Sequence, residues 1–186
     1  MAKAVYYVAS SVDGYIAAPD GGVDWLAPFQ SPAEDYGYAA FLATVGGLIM
    51  GRRTYDQVLG FGPWPYPGKP CRVVTSRPLP DAPPDVLPAA GPTEAAAALS
   101  GRIWLVGGSQ LFEAYRAAGL IEEYIVTVVP VLLGAGVPLF RPGPGGRLRL
   151  LACHSFPGGV VQLRYAVSDG DPGAAEETSE VKPHHP

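Results

Sequence analysis

The ten residues LIMGRRTYDQ, numbered 48–57, decide how the chain is read. Leu48, Ile49 and Met50 form a short apolar run, Gly51 interrupts it, and two arginines, a threonine and a tyrosine follow. An apolar run this short, closed by glycine, predicts a buried strand, and the polar residues after it predict a helix over 52–59. The first turn of a helix carries unpaired N–H groups and a partial positive charge, so it attracts an anion. Arg52 and Arg53, in a chain with 13 basic residues, add fixed charge and bidentate donors to that corner. The plainer alternative is a helix start carrying two solvated arginines.

The same alternation extends in both directions. AVYYVA (4–9) reads as a strand, and the Gly-, Asp- and Pro-rich stretch 10–30 reads as a long loop of the kind that carries function. In SPAEDYGYAAFLATV (31–45), Ser31 as cap, Pro32 as first residue and Glu34 as the third corner of a capping box predict a helix. Tyr38, Phe41, Leu42 and Val45 would form its apolar stripe. FGPWPYPGKP (61–70) is a loop, CRVVTS (71–76) a strand, and EAAAAL (94–99) a short helix with Thr93 as cap and Gly101 beyond its end. RIWLV (102–106) is a strand, SQLFEAYRAA (109–118) a helix and EEYIVTVVPVL (122–132) a long strand. LRLLACHSF and VVQLRYAV flank Pro157-Gly158-Gly159 as a hairpin. This order predicts an α/β protein with three layers, α/β/α, built on a mixed, mostly parallel sheet that ends in an antiparallel C-terminal hairpin. Residues 1–168 form the expected domain, and the acidic, aperiodic segment 169–186 the expected disordered tail.

Composition narrows the function. Apolar residues make up 48% of the 186-residue chain, enough for a full core, and the net charge of −4 argues against a general nucleic-acid or anionic-membrane binder. No apolar run approaches the roughly 18 residues of a membrane span, and the N-terminus lacks a signal-peptide core, so the cytoplasm is the expected location. Cys71 and Cys153 stand far apart and His184 and His185 fall in the tail, so no metal site is expected.

Three strand exits carry unusual chemistry. Gly51, Arg52, Arg53 and Thr54 form the first. Thr75, Ser76 and Arg77 offer two hydroxyls and a guanidinium at the second. At the third, Val106, Gly107, Gly108, Ser109, Gln110 and Leu111 run from a strand through two glycines into a helix, where a diphosphate could approach the backbone. Each corner alone is also an ordinary turn. Ligands of open α/β sheets bind outside the carboxyl ends of the strands. Three anion-friendly corners on that edge point to a ligand with several phosphates, and NADPH fits two arginine corners better than NADH does.

ASSVDGYIAAPDG, LIMGRRTYD, VVTSRPL, IWLVGGSQLF and YIVTVVPVLLGAGVPLF, in this order and spacing, make the chain resemble the dihydrofolate reductase superfamily. It is most similar there to stand-alone relatives of the reductase domain of bacterial riboflavin biosynthesis. The resemblance implies NADPH along one cleft, held by the three corners, with Ala9 and Ile16 covering the nicotinamide. It implies Thr127 in the substrate pocket and an acidic residue near the substrate, for which Glu34 and Asp35 both qualify. Glu34 has a competing place in the capping box, and Asp35 lies 16 residues before Gly51, so Asp35 is favoured as the group assisting protonation and contacting substrate. Asp35 could equally be an acid favoured by the helix dipole. Trp25 would either stack on substrate or plug its loop. The resemblance further implies a two-fold homodimer. It leads to an NADPH-dependent oxidoreductase acting on a small pterin- or pyrimidine-like heterocycle, the alternative being a non-catalytic nucleotide-binding or regulatory module on the same fold.

Overall fold

The computed structural model describes residues 3–143 and 145–168; the tail 169–186 lies outside the described residues. In chain order the elements are β1 (Ala4–Ser11), β2 (Tyr15–Ala17), a 3-10 segment (Asp24–Phe29), α1 (Tyr38–Thr44), β3 (Val45–Gly51) and α2 (Arg52–Gly60). There follow β4 (Cys71–Val74), β5 (Val86–Ala89), α3 (Pro92–Ala97), β6 (Arg102–Gly107), α4 (Ser109–Ala117) and β7 (Ile121–Val129). The last are β8 (Val137–Pro138), β9 (Leu148–Ser155) and β10 (Val161–Val167), the latter two joined across a 3-10 turn at Pro157–Gly159. No helix among the described residues is long and apolar enough to cross a membrane.

Eight strands form one sheet in the order β5-β4-β3-β6-β1-β7-β10-β9. The first six are mutually parallel; β10 runs antiparallel to β7, and β9 antiparallel to β10. The expected hairpin is therefore the far end of the sheet. Inner strands of a parallel sheet are covered on both faces, so they read as continuous apolar runs whose alternate residues feed two cores. In β1, Ala4 and Tyr6 enter the core under α3 and α4, and Val5 enters the core under α1 and α2. Ile49 against Leu48 and Met50, and Ile103 and Leu105 against Trp104, divide in the same way. Helices thus cover both faces, in three layers.

Three local expectations change. The first helix starts at Tyr38, not at Ser31. Tyr36 (φ 55) and Gly37 (φ 77) are left-handed, which a continuous helix cannot accommodate. Ser31 Oγ accepts the Ala33 N–H and Glu34 Oε1 accepts the Tyr36 N–H, so both residues serve turns and the capping box does not form. At α3 the cap position is Gly91, with Pro92 leading the helix, and Thr93 is inside it. Glu94 Oε2 reaches back to accept the Ala90 N–H, ahead of the cap, and ties the entering chain to the first turn. Strand β5 is absent from the sequence reading because Val-Leu-Pro-Ala contains proline; β5 lies at the sheet edge, where proline is tolerated.

The two cysteines differ sharply. Cys71 is fully buried in β4, and burial pushes its thiol up to about 12; Cys153 is exposed on the outer strand β9.

Gly46 marks the tightest approach in the sheet. A Cβ there would lie 2.7 Å from the Ser100 carbonyl oxygen, a backbone atom, whereas Gly60 at the end of α2 has open space around the same position. Gly46→Ala is expected to cost about 1–3 kcal/mol, and Gly60→Ala to gain about 0.5 kcal/mol. Chemical denaturation of the two variants checks this; equal midpoints would mean that β3 has slack against the 100–101 turn. Burial also holds the phenols of Tyr6, Tyr66 and Tyr115 far above the ordinary 10.0. Their folded pKa exceeds the unfolded one, so their contribution is complete below pH 10 and is lost as pH rises beyond it. Denaturation from about pH 8 to about pH 11 should show constant stability and then a steep fall; a flat profile throughout would refute it.

Candidate functional site

The carboxyl ends of β4, β3 and β6, which are neighbours in the sheet, deliver the three corners to one cleft of about 500 Å³. Its lining includes Gly51, Arg52, Arg53 and Thr54 from the start of α2, and Thr75, Ser76 and Arg77 after β4. Gly108, Ser109, Gln110 and Leu111 come from the start of α4. Arg141, which the sequence reading does not single out, joins them from the segment after β8. The lining holds four arginines and no carboxylate, in a chain of net charge −4. Neither α2 nor α4 has a side chain capping its first N–H groups, so both leave donors for a ligand.

Local geometry explains why glycine stands at the third corner. Gly107 (φ 141) and Gly108 (φ 72) adopt backbone that L-residues with side chains avoid, and a Cβ on Gly108 would already be in van der Waals contact with Thr54 Oγ1 at 3.5 Å. The two helix starts therefore approach within the width of a side chain. The arginines are not equivalent. Arg52 donates from Nε to Asp56 Oδ1 at 2.7 Å and from Nη1 to the Pro78 carbonyl at 2.8 Å, which ties α2 to the loop after β4. The Arg53 and Arg77 side chains are exposed and make no hydrogen bond or ion pair among the described residues. Thr75 Oγ1 accepts the Arg77 N–H at 3.0 Å and shapes that turn.

A second compartment of about 710 Å³ continues the cleft, sharing Arg53, Thr54, Gly108 and Ser109 with the first. Ile16, Ala17, Asp20, Gln57, Val106 and Gly107 line it as well. The loop above is held at two points. Gln57 Nε2 donates to the Gly21 carbonyl at 3.1 Å, and the Asp13 carboxylate accepts Ser11 Oγ–H, Leu133 N–H and Gly134 N–H. The Ser11 hydroxyl above all, with these N–H groups, holds Asp13 below its usual pKa.

A third compartment of about 460 Å³ adjoins the second through Val8 and Val23 and is largely aromatic. Tyr7, Tyr38 and Tyr66 surround Trp104 with ring centroids 6.2, 5.8 and 5.6 Å away, and the Trp104 indole N–H donates to the Tyr7 carbonyl. Burial raises the Tyr7, Tyr38 and Tyr66 phenols, so all three keep their protons at neutral pH. Ala9, Asp35 and Thr127 line this compartment. Ala9 and Thr127 face each other across the β1–β7 register, and Thr127 also pairs with Gln162 of β10. Gln162, unnoticed in the sequence, is buried and donates from Nε2 to Thr127 Oγ1 (3.0 Å), to the Tyr36 carbonyl (3.1 Å) and to Tyr7 Oη (3.3 Å).

For two residues the sequence leaves alternatives open. Asp35 precedes α1 and is exposed, and its two carboxylate oxygens accept the Gly37 and Ala39 N–H groups, each at 2.9 Å. It therefore holds the turn into the helix while lining the aromatic compartment. Trp25 lines none of the three compartments, and its buried indole N–H has no hydrogen-bond partner among the described residues. In a 3-10 turn residues three apart share a face. Val23, Leu26 and Phe29 take the face toward the compartment and leave Trp25 off it. Trp64 anchors its loop through Nε1 to the Tyr66 carbonyl. No group of three His, Cys, Asp or Glu side chains suited to a metal ion occurs among the described residues.

Comparison with known proteins bears on the family and the fold. The family model of the RibD C-terminal domain matches residues 2–162. The curated protein YwjB of Bacillus subtilis (strain 168) is 39% identical over 173 residues, which span 88% of this chain and 97% of that protein. A putative riboflavin biosynthesis protein from Shewanella sp. PV-4 superposes with a TM-score of 0.77 at 29% identity, over 90% of this chain and 99% of that one. RibD of Acinetobacter baumannii superposes with a TM-score of 0.68 at 18% identity, over 90% of this chain and 58% of that one, a likeness of fold. The chain belongs to the RibD C-terminal domain family, and its three-layer architecture is the dihydrofolate reductase-like fold.

Proposed function

We propose that the chain is an NADPH-dependent reductase of a small, flat heterocycle of the pterin or pyrimidine kind. The observation that carries this is the graded groove, which has an acid-free cleft with four arginines at one end and an aromatic compartment at the other, joined by a glycine-lined middle. The donor set suits the group. Uncapped starts of α2 and α4 offer N–H groups to a diphosphate, Gly107 and Gly108 let it come close, and Arg53 and Arg77 have guanidiniums to spare for a third phosphate.

NADPH, when bound, would supply the hydride. The chain's own part is to bind, orient and exclude water. In this reading Ala9 and Ile16 flank the nicotinamide. Thr127, fixed by Gln162, and the protonated phenols of Tyr7 and Tyr38 orient the heterocycle, while Asp35 at the rim holds a proton or a water for delivery. The partners are a small-molecule substrate and a second copy of the chain. The exposed Leu148, Leu150 and Leu151 of β9 offer an apolar surface for such pairing. One observation favours a second reading, a nucleotide-binding module without chemistry: both Asp35 oxygens already serve the turn before α1. NADPH binding with no oxidation by any pterin, pyrimidine or flavin precursor would support that reading.

Titration with NADPH and NADH, followed by nicotinamide fluorescence, tests the cofactor. The wild type should prefer NADPH, and Arg53→Ala with Arg77→Ala should erase the preference, a loss of about tenfold to a hundredfold for NADPH alone at 1.5–3 kcal/mol for charge-assisted bonds. Binding of neither nucleotide would end the reductase reading. Asp35→Asn keeps one oxygen for the Gly37 or Ala39 N–H, so it should lower kcat about tenfold or more with NADPH affinity held and only a small fall in the unfolding midpoint, as expected for a lost proton donor. A midpoint that falls in step with kcat would assign Asp35 to the cap alone.

A further inference from the structure

The fourth arginine of the anion cleft comes from outside the three strand-exit corners. Arg141 follows Leu139, which is buried in the core, and Phe140, whose ring lies 5.8 Å from Phe112 and 6.1 Å from Tyr124. Both peptide groups of Arg141 are fixed to one helix. Its N–H donates to Glu113 Oε1 at 3.1 Å, and its carbonyl accepts from Arg116 Nη2 at 3.1 Å, while Arg116 is itself paired with Glu113. The backbone is therefore held by α4 at both ends of the residue, and the side chain is left to the cleft. That side chain donates to Ser109 Oγ at 3.4 Å, at the first residue of α4, and no carboxylate pairs with it among the described residues.

We infer that Arg141 is a diphosphate-binding residue, a guanidinium brought over the N-terminus of α4 by the segment after β8. The inference rests on the nucleotide reading above and assigns one residue and one part of the ligand within it. Three features support it together. The α4 start offers uncapped backbone donors, Gly107 and Gly108 leave room for close approach, and Arg141 adds a charge that no carboxylate neutralises among the described residues. A surface arginine without such a role gains little from having its backbone clamped twice. Its position beside Ser109 also separates it from Arg53 and Arg77, which border the β3 and β4 exits. Arg141 therefore serves the part common to NADPH and NADH, and the other two serve the part that distinguishes them.

The test compares Arg141→Ala, Arg141→Lys and the wild type by titration with NADPH, NADH and reduced nicotinamide riboside, which carries no phosphate. Arg141→Ala should weaken NADPH and NADH by the same factor, about tenfold for one charge-assisted contact. The ratio between the two should stay unchanged and the riboside should not respond. The salt dependence of NADPH binding should become shallower, and Arg141→Lys should restore part of the affinity. Unchanged affinities in Arg141→Ala would overturn the inference and leave the cofactor reading standing. A loss confined to NADPH would move Arg141 to the third phosphate and overturn it equally. Failure of the wild type to bind either dinucleotide would overturn both.

Discussion

The parallel pairing of β3 with β4 on one side and β6 on the other sets everything that follows. Leu48, Ile49, Met50 and Gly51 pair in order with Cys71, Arg72, Val73 and Val74, and Leu48 and Ile49 pair with Trp104 and Leu105. Strands held in this register must end at one edge, and each end must be followed by a segment that turns away. Because the strands are buried on both faces, polar groups can collect only at those exits. Thr75, Ser76, Gly51, Arg52, Gly108 and Ser109 consequently reach a common cleft although more than fifty residues separate the first corner from the last. A one-residue slip would exchange the two cores and scatter the corners.

The opposite end of the groove depends on a different element. β10 enters antiparallel beside β7 and places Gln162 against Thr127, where one amide also engages the Tyr36 carbonyl and the Tyr7 hydroxyl. The C-terminal hairpin, the turn before α1 and the first strand are thereby joined behind the aromatic compartment. A buried polar group is tolerated only when its hydrogen bonds are made, so this amide fixes the relative positions of its neighbours. Arg102 and Arg164 share Glu123 further along the same side and close the sheet toward the hairpin.

Much of this was legible in the sequence because the signals are local. Strand-glycine-helix corners appear as contiguous residues, and the hairpin announces itself through Pro-Gly-Gly between two apolar runs. What escaped notice was either masked by a competing local signal or assembled from afar. Ser-Pro-Ala-Glu reads as a capping box, but the left-handed Tyr36 and Gly37 break the helix and hand the cap to Asp35. The proline in β5 hides a strand that the sheet edge permits. For Trp25 the sequence left stacking on substrate and plugging its loop both open, because only the three-residue repeat of its turn gives the compartment to Leu26 and Phe29. Arg141 stands 33 residues beyond Gly108, and the packing of Leu139 and Phe140 that brings it back has no signature in the chain.

The contrast between the two cysteines makes the protein a natural single-site labelling substrate. Cys71 is enclosed in β4 with its thiol held in the protonated form, so thiol-directed reagents cannot use it while the fold persists. Cys153 is exposed on β9, across from Leu163 of β10, and so reports from the outer edge of the sheet. A fluorophore or spin label attached there would be installed without mutating any residue, at the opposite edge of the sheet from the arginine-lined cleft. The appearance of a second reactive thiol would then register the opening of the β4 core.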